Sequence, residues 1–388
     1  MTILYITPLW SGLKSFFFEG RNLANGMPAF FKVFQSLINN PKVNFIYIIL
    51  FIQNDKSKIC IPIEFREKVK VVPFYVNGRY SLYFSIFLSI ILGCYIGLKR
   101  RVRLVYGHGT ISFIASVIGI ILGIKNFRRI YGTFLYPKIM KKVNIVRTDF
   151  LEYLSFKLKS DGVIITNDGT NGDKVYMKVH ETKDRVHFLL NGVDKPLFIT
   201  KSGYENGGYF SYVARIDKWK RQDLLLEALY CLKMEGIDIP ITYFVGVIYD
   251  RDYYNYLFEL VHKFGLVDYI VFTGPMEAKY IPFILKNSTC TFSLYSFSNL
   301  GNVFLEAMAS GAVMLAINER NSLDIVSSFA YCAVVDDPQD IANKIISVIQ
   351  DESLRMNYRK GAERFYLENL HSWDQRVQEE LAVLFDIR

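Results

Sequence analysis

Short apolar strands alternate with helical stretches along the whole chain, and this alternation limits the fold more than any other feature of the sequence. Strand-like runs of β-branched and aromatic residues, such as 2–7, 102–107 and 208–214, are followed by helical patterns, such as 110–123 and 220–235. Repeated units of this kind predict parallel sheets with helices on both faces, that is, an α/β fold. Because 388 residues are too many for one ordinary core, we expect two such sheets.

A cluster of Gly, Lys, Ser and Asn residues between Asn191-Gly192 and Gly208 marks the boundary between the two sheets. We therefore predict two doubly wound, Rossmann-like domains, residues 1–195 and 196–370. Ligands of doubly wound sheets bind at the carboxyl ends of the strands, so two facing sheets would form a cleft between them.

The two halves of the chain carry opposite charge. Residues 1–190 contain 27 Lys and Arg against 11 Asp and Glu, a net charge of +16, whereas residues 191–388 contain 19 against 26, a net charge of −7. No acidic residue occurs from 68 to 148. This asymmetry predicts an anionic partner for the first half. The apolar fraction of 51% excludes a disordered chain.

One segment, 81–98, has 18 residues without a charge and is followed by Lys99-Arg100-Arg101. Its length just reaches that of a membrane span, so two interpretations are open: a span, or a buried or membrane-facing helix of the first domain. The strand-like segments on both sides favour the second, in which each basic residue near anionic lipid contributes about 1 kcal/mol. Five scattered cysteines and an N-terminus without a basic leader predict a cytoplasmic protein, associated peripherally with the inner face of the membrane.

Two cations follow the strand-like run YFSYVA in the second half. Arg215 comes directly after the strand, and Lys220 lies five residues later, at the start of a helical pattern. A planar guanidinium and a compact ammonium before a helix N-terminus suit a diphosphate. A solvated basic turn is the alternative, because Lys218 and Arg221 are there as well.

A second motif runs from Ser298 to Glu306. Gly301 lets the backbone come close to a ligand where a helix begins and offers free N–H groups to an anion. Glu306 lies one turn further into that helix, where a carboxylate can accept hydrogen bonds from a ribose diol. Taken alone, Glu306 would be interpreted as an ordinary exposed glutamate of a helix.

These motifs, together with Phe272-Thr273-Gly274-Pro275, resemble the donor half of retaining GT-B glycosyltransferases of group 1, a family that moves sugars from nucleotide diphosphates. The resemblance spans nearly the whole chain; it is strong over 205–315 and diffuse over 1–190. It implies a GT-B fold, with two Rossmann-like domains facing a central cleft and a C-terminal helix, 371–388, that crosses back to the first domain. Further matches are Asn25-Gly26-Met27, Tyr106-Gly107-His108-Gly109, Tyr131-Gly132-Thr133, Asn191-Gly192-Val193-Asp194, TYFVG (242–246) and Ser372-Trp373.

The resemblance implies a role for each matching residue. Arg215 and Lys220 would be catalytic, because they would hold the diphosphate and stabilise charge on the leaving group without a metal. His108 would approach the transferred sugar as a third catalytic residue, and Glu306 would bind the ribose. The backbone of Gly274, Pro275 and Met276 would border the base; Ser298, Asn299, Leu300, Gly301, Asn302 and Val303 would contact the donor sugar and phosphates; and Asn25, Gly26 and Met27 would form the acceptor-side loop.

The sequence departs from the family pattern at two positions. The family has two glutamates eight positions apart; Glu306 is the second, but Ser298 stands at the first position. This change puts the usual carboxylate contact to the sugar in doubt. Hydroxyl or amide groups of Ser298 and Asn299 could replace it, or the donor sugar could differ. Arg221 replaces a glycine that is common after the lysine.

The resemblance implies an enzyme that transfers a sugar, with retention of configuration, to a lipid-linked or polysaccharide acceptor in cell-surface glycan synthesis. We expect the nucleotide sugar as co-substrate and no cofactor or metal. The pair Asp250 and Asp252 could hold a divalent cation in another glycosyltransferase fold, but Asp252 is well placed to cap a helix instead. A non-catalytic GT-B protein that binds nucleotide sugar or glycan is the alternative. A nucleic-acid partner is not expected, because the basic residues are interspersed with apolar segments and no such motif is present.

Overall fold

In a computed structural model the chain forms two compact units. Unit 1 comprises Met1–Gly192 and Trp373–Arg388, and unit 2 comprises Val193–Ser372. The structure describes residues 1–22, 28–53, 55, 57–180, 185–196, 208–318, 323–326 and 328–385.

Unit 1 is built on a parallel sheet of seven strands in the order β3-β2-β1-β4-β5-β6-β7. The central strands are continuous apolar runs, as expected for strands that are covered on both faces. The order of the strands reverses between β1 and β4, so the loops that follow these two strands flank the switch point. The strands are β1 Thr2–Pro8, β2 Phe45–Gln53, β3 Val69–Val76, β4 Val102–His108, β5 Lys125–Ile130, β6 Gly162–Thr166 and β7 Val186–Leu189.

Helices cover both faces of this sheet, because alternate strand residues point to opposite sides. Ile3 and Tyr5 pack in one core with residues of α2 and of the C-terminal helix, whereas Leu4 and Ile6 pack in another with residues of α3 and α4. The helices are α1 Lys14–Phe18, α2 Pro28–Asn39, α3 Gly78–Lys99, α4 Phe113–Leu122, α5 Leu135–Met140, α6 Ile145–Thr148, α7 Phe150–Lys157 and α8 Gly172–Val179.

Unit 2 is built on a parallel sheet of six strands in the order β10-β9-β8-β11-β12-β13. Its order reverses at β8, so the loops after β8 and β11 lie at the switch point, where α/β sheets bind ligands. The strands are β8 Tyr209–Val213, β9 Ile241–Val245, β10 Ile270–Gly274, β11 Cys290–Ser293, β12 Met314–Ile317 and β13 Cys332–Val334. The helices of this unit are α9 Gln222–Met234, α10 Arg251–Lys263, α11 Ile281–Asn287, α12 Asn302–Ala309, α13 Pro338–Gln350 and α14 Glu352–Asn369.

The last helix, α15 Trp373–Phe385, belongs to unit 1. Gly192 makes its close packing possible, because a Cβ on Gly192 would lie 2.7 Å from Cα of Trp373. On the same helix, Arg376 donates a hydrogen bond to the Leu190 carbonyl over 2.8 Å. Two parallel-sheet α/β domains with a helical C-terminus confirm the fold class that the sequence predicted.

Helix α3 contains the uncharged segment 81–98 and is long and apolar enough to cross a membrane. One third (33%) of its most apolar 18-residue window is buried within unit 1. Gly93 and Gly97 lie against α4, since a Cβ on either would lie 2.3 Å from an Ile118 or Leu122 side-chain carbon. The strands before and after α3 belong to one sheet, which agrees with a helix that packs on the first domain.

Candidate functional site

Arg215 lies where β8 ends, at the switch point of the second sheet. The neighbouring strand comes so close that a Cβ on Gly246 would lie 1.9 Å from the Ala214 carbonyl oxygen, so only glycine fits there. The Arg215 guanidinium forms an ion pair with Asp217 and lies 4.6 Å from the ring centroid of Tyr249. Its side chain remains 39% exposed. It is therefore oriented by its neighbours and still accessible to an anion.

Lys220 ends a tight turn that connects Arg215 to helix α9. The Asp217 carboxylate accepts hydrogen bonds from the backbone N–H groups of Trp219 and Lys220, over 3.0 and 3.2 Å, and fixes this turn. The Lys220 ammonium lies 3.5 Å from the ring centroid of Tyr295 and 4.5 Å from that of Trp219. Two aromatic faces thus orient this cation.

A loop after β11 carries the second motif. The Asn299 amide is fully buried and holds the loop: its oxygen accepts from the Ser293 hydroxyl (2.7 Å) and the Tyr295 N–H (3.1 Å), and its nitrogen donates to the Tyr295 carbonyl (2.8 Å). Ser298 has a left-handed backbone, with φ of 70°, and Leu300 is fully buried. The Asn299 side chain is therefore committed to the loop, and a direct contact to a sugar by this amide would break three hydrogen bonds.

Helix α12 begins directly after this loop, with Gly301 as its N-cap. The first N–H groups of a helix have no partner within the helix, so the start of α12 is a place where an anion can accept hydrogen bonds. Glu306 lies one turn later and is half-buried. Burial raises its pKa to about 7. Within the described part of the chain its carboxylate has no hydrogen bond or salt bridge, so it can accept hydrogen bonds from a ligand.

Contacts between the two motifs make them one site. The Trp219 indole N–H donates to the Phe297 carbonyl over 2.8 Å, and the Ser296 N–H donates to the Trp219 carbonyl over 3.2 Å. Tyr295 lies near enough for its phenol to interact electrostatically with Asp217, Glu306 and Arg215. The structure therefore brings Arg215, Lys220 and Glu306 together around two aromatic residues that the sequence did not indicate, Trp219 and Tyr295. Their only sequence signal is their position beside the two motifs.

Gly274, Pro275 and Met276 follow at the end of β10, at the carboxyl edge of the same sheet. Gly274 has a φ of +73°, and nothing lies within 4 Å of the place where its Cβ would be. Pro275 and Met276 are exposed. The backbone is thus open here, and its contact with a base stays a prediction.

His108 lies in unit 1, at the end of β4, and is fully buried. Its ring lies between those of Tyr5 and Tyr106, with both centroid separations at 4.2 Å, and its Nδ1 is 2.8 Å from the Tyr131 hydroxyl. A sugar can therefore contact His108 only if the side chains packed on this ring move. The role of His108 stays a prediction. The predicted acceptor-side loop, Asn25, Gly26 and Met27, lies outside the described residues.

The acidic pair Asp250 and Asp252 shows one difference from expectation. Helix α10 begins at Arg251, and its cap is Asp250, whose carboxylate accepts from the Tyr253 N–H over 3.0 Å. The prediction that Asp252 caps this helix was wrong, because the helix begins at Arg251, two residues before the start that a cap at Asp252 requires. Among the residues that the structure describes, no group of three His, Cys, Asp or Glu side chains could hold a metal ion.

Comparison with known proteins agrees with these features. Residues 177–365 match the family model of glycosyl transferases group 1. An uncharacterized glycosyltransferase of Methanocaldococcus jannaschii, MJ1069, is 24% identical over 250 residues, which cover 64% of this chain and 61% of that relative's length. The family match covers just under half of the chain and agrees, over that part, with the resemblance that the motifs carry.

Solved structures show the fold. HepE of Anabaena, solved in complex with UDP and glucose, is 15% identical, with a TM-score of 0.70 over 100% of this chain and 99% of its own. The lipopolysaccharide outer core galactosyltransferase WaaB is 14% identical, with a TM-score of 0.70 over 100% and 99% of the two chains. WaaG, a glycosyltransferase involved in lipopolysaccharide biosynthesis, is 13% identical, with a TM-score of 0.69 over 99% of each chain. These likenesses confirm a GT-B fold.

Proposed function

We propose that this chain is a glycosyltransferase that moves a sugar from a nucleotide-diphosphate sugar to a lipid-linked or polysaccharide acceptor, with retention of configuration and without a metal. The observation that carries this proposal is the cation pair Arg215 and Lys220. Trp219 connects the pair to the loop before helix α12 through its hydrogen bond to the Phe297 carbonyl, and Tyr295 lies against Lys220 and near Glu306. A diphosphate would meet two cations and a helix N-terminus there, and a ribose would meet the Glu306 carboxylate, which has no hydrogen bond or ion pair within the described residues. The structure of HepE in complex with UDP-glucose supports this choice of donor.

In this sugar transfer the main contribution of the protein is electrostatic stabilisation of the departing diphosphate. As the bond between the sugar C1 and the diphosphate oxygen breaks, negative charge grows on the diphosphate, and Arg215 and Lys220 stabilise it. The acceptor oxygen bonds to C1 on the same face, and its proton passes to the departing diphosphate. An oxocarbenium-like transition state then needs no protein nucleophile. Ser298 at the position of the family's first glutamate makes the donor sugar the least determined part of the substrate.

The donor is tested with a thermal-shift panel of UDP, GDP, ADP and dTDP sugars. A ligand that binds only the folded chain raises its apparent stability, by about 2.7 kcal/mol at 100 times the Kd. We expect one nucleotide class to raise the melting temperature, equally in EDTA and in Mg²⁺, and to be consumed with release of the nucleoside diphosphate. A raised melting temperature without consumption would instead favour a non-catalytic GT-B protein.

Glu306 predicts a pH dependence of nucleotide binding. Its pKa of about 7 means that roughly a tenth of the free carboxyl is ionised at pH 6 and nine tenths at pH 8. Because the ionised form accepts the ribose hydrogen bonds, we expect the Kd of the nucleoside diphosphate to fall about tenfold from pH 6 to pH 8. Calorimetry on the wild type and on Glu306→Gln measures these Kd values at each pH. The variant has no titrating carboxyl at this position, so its pH profile shows how much of the change comes from titration of the phosphate. Parallel pH profiles of the two proteins would contradict the assignment.

We propose that unit 1 serves the acceptor at an anionic membrane surface, in cell-surface glycan synthesis on the cytoplasmic side. Helix α3 exposes a row of large apolar side chains, and the basic residues Lys99, Arg100 and Arg101 stand at its C-terminal end without an acidic neighbour in the sequence. A cavity of about 460 Å³, lined in part by Arg79, Leu82 and Phe51, lies beside this helix. The exposed row comprises Tyr80, Tyr83, Phe84, Phe87, Leu88, Ile91, Tyr95 and Leu98.

Membrane association is tested by vesicle sedimentation. We expect the chain to bind vesicles with anionic phosphatidylglycerol, to bind neutral phosphatidylcholine vesicles more weakly, and to lose affinity as salt screens the basic residues. The double variant Phe84→Asp/Phe87→Asp should abolish binding, because two charges then face the acyl chains. Leu367→Asp, at an equally exposed apolar position of unit 2, is the matched control. Equal binding by the double variant and this control would contradict the proposal.

A further inference from the structure

A small cavity lies in unit 1 between the C-terminal end of helix α3 and the sheet. Its volume is about 240 Å³. Tyr47 on β2 and Lys70 on β3, which are register partners, line it on the side of the sheet, and both lie near the beginning of their strands. Sheets of this class bind substrates at the carboxyl ends of their strands. The cavity is at the opposite edge, so the reaction proposed above does not use it.

Three cations and no carboxylate line this cavity. Lys99 and Arg100 line it at the end of α3, and Lys70 lines it from β3. All three residues are exposed, and within the described part of the chain none of them forms an ion pair with Asp or Glu. Cations grouped around one cavity repel one another, and a bound anion would remove this repulsion.

Two tyrosine side chains orient two of these cations. The Lys99 ammonium donates a hydrogen bond to the Tyr95 hydroxyl, and the Arg100 guanidinium lies 5.9 Å from the ring centroid of Tyr47. A guanidinium fork and a compact ammonium are the groups that bind phosphate oxygens in proteins. At about 30 Å³ for each water molecule of the liquid, the cavity has the volume of about eight waters, which is enough for a phosphate group.

We propose that this cavity binds the phosphate group of an anionic phospholipid. The apolar row of α3 favours a lipid over a free anion, because Tyr95 belongs both to this row and to the lining of the cavity. Ile91 and Leu98, one turn away on either side, are exposed as well. A lipid whose phosphate occupies the cavity buries its acyl chains on the row, which adds to the charge-assisted hydrogen bonds. The proposal rests on the proposed membrane role of unit 1 and names the chemical group that is recognised there.

The site is tested with a dissolved lipid monomer, because a monomer has no membrane surface potential that would attract cations without a site. The full chain is titrated in a calorimeter with dihexanoyl phosphatidylglycerol below its critical micelle concentration. We expect saturable binding of one lipid per chain. Inorganic phosphate should bind at least about tenfold more weakly, the effect of burying about two methylene groups of the lipid. Absence of saturable lipid binding would overturn the site, and equal or tighter binding of inorganic phosphate would overturn its assignment to a lipid.

Two double variants of equal charge locate the binding. Lys70→Gln/Arg100→Gln removes two cations of the cavity and should weaken lipid binding at least about tenfold, because charge-assisted hydrogen bonds are lost. Arg101→Gln/Arg103→Gln is the matched control, since both residues are exposed and neither lines the cavity. We expect its Kd to stay within about threefold of the wild type, because exposed charges outside the site are screened. Equal losses in the two variants would show that net charge alone attracts the lipid and would overturn the site.

The same samples separate this inference from the proposed sugar transfer. The nucleotide site is in unit 2, so both double variants should keep the nucleotide-induced rise in melting temperature of the wild type. A chain that consumes a nucleotide sugar but does not bind the lipid monomer would contradict the lipid site alone. A chain that binds the monomer but consumes no nucleotide sugar would contradict the proposed transfer alone.

Discussion

Replacing Lys220 by alanine should lower kcat about 10²–10³-fold, because the ammonium stabilises charge that develops only as the diphosphate departs. The cation is already oriented by the rings of Tyr295 and Trp219, so little reorganisation precedes the reaction. The effect corresponds to about 2.7–4 kcal/mol of transition-state stabilisation. The release of nucleoside diphosphate, followed at saturating donor, measures it.

Lys218→Ala is the matched control for this experiment. Lys218 lies on the same turn and is exposed, so it tests whether loss of any positive charge on this turn has the same effect. We expect its kcat to stay within about twofold of the wild type, because the interaction of an exposed cation is screened. A Lys220→Ala enzyme as fast as Lys218→Ala would remove Lys220 from the reaction.

Replacing Glu380 by leucine should destabilise the folded chain by about 3–5 kcal/mol, the usual cost of removing one partner of a buried ion pair. Glu380 is fully buried and balances two buried guanidiniums, with Arg376 Nη2 3.0 Å and Arg129 Nε 3.1 Å from its Oε2. In its absence both cations remain in the core without a counter-charge. Urea denaturation, read from the unfolding of unit 1, measures the loss.

Gln378→Ala, two residues earlier on the exposed face of α15, is the control and should change the free energy of unfolding by less than about 0.5 kcal/mol. The pH dependence gives a second check. Burial opposes ionisation of Glu380, but Arg129 and Arg376 outweigh it and lower its pKa below 4.5. Its contribution is therefore complete above about pH 4.5 and is lost as the pH falls through the lowered pKa. If Glu380→Leu changed neither measurement, the network would contribute nothing to stability.

The architecture could be predicted from the sequence because buried parallel strands are continuous apolar runs between helical patterns. The predicted helical patterns 110–123 and 220–235 contain α4 and α9, respectively. The first residue of helix α10 could not be predicted from the sequence, because Asp250 and Asp252 are both suitable caps and only the backbone geometry distinguishes them.

The candidate site was predicted in part. Arg215, Lys220 and Glu306 could be found because each lies at a fixed place relative to a strand end or a helix start. Tyr295 could not, because its contact with Lys220 joins residues 75 positions apart, and no local pattern marks such a pair. Asn299 could be located from the sequence as part of the second motif, but its structural role could not. Only the hydrogen bonds of the folded chain show that its side chain holds the loop.

The most direct test of the central claim is the anomeric configuration of the sugar that the enzyme releases. The wild type, with the nucleotide sugar that raises its melting temperature and with EDTA present, should release the nucleoside diphosphate. Early ¹H NMR spectra should then show the transferred or hydrolysed sugar in the same anomeric form as the donor, before mutarotation. A product of inverted configuration, or bound nucleotide sugar that is never consumed, would contradict a retaining, metal-independent glycosyltransferase.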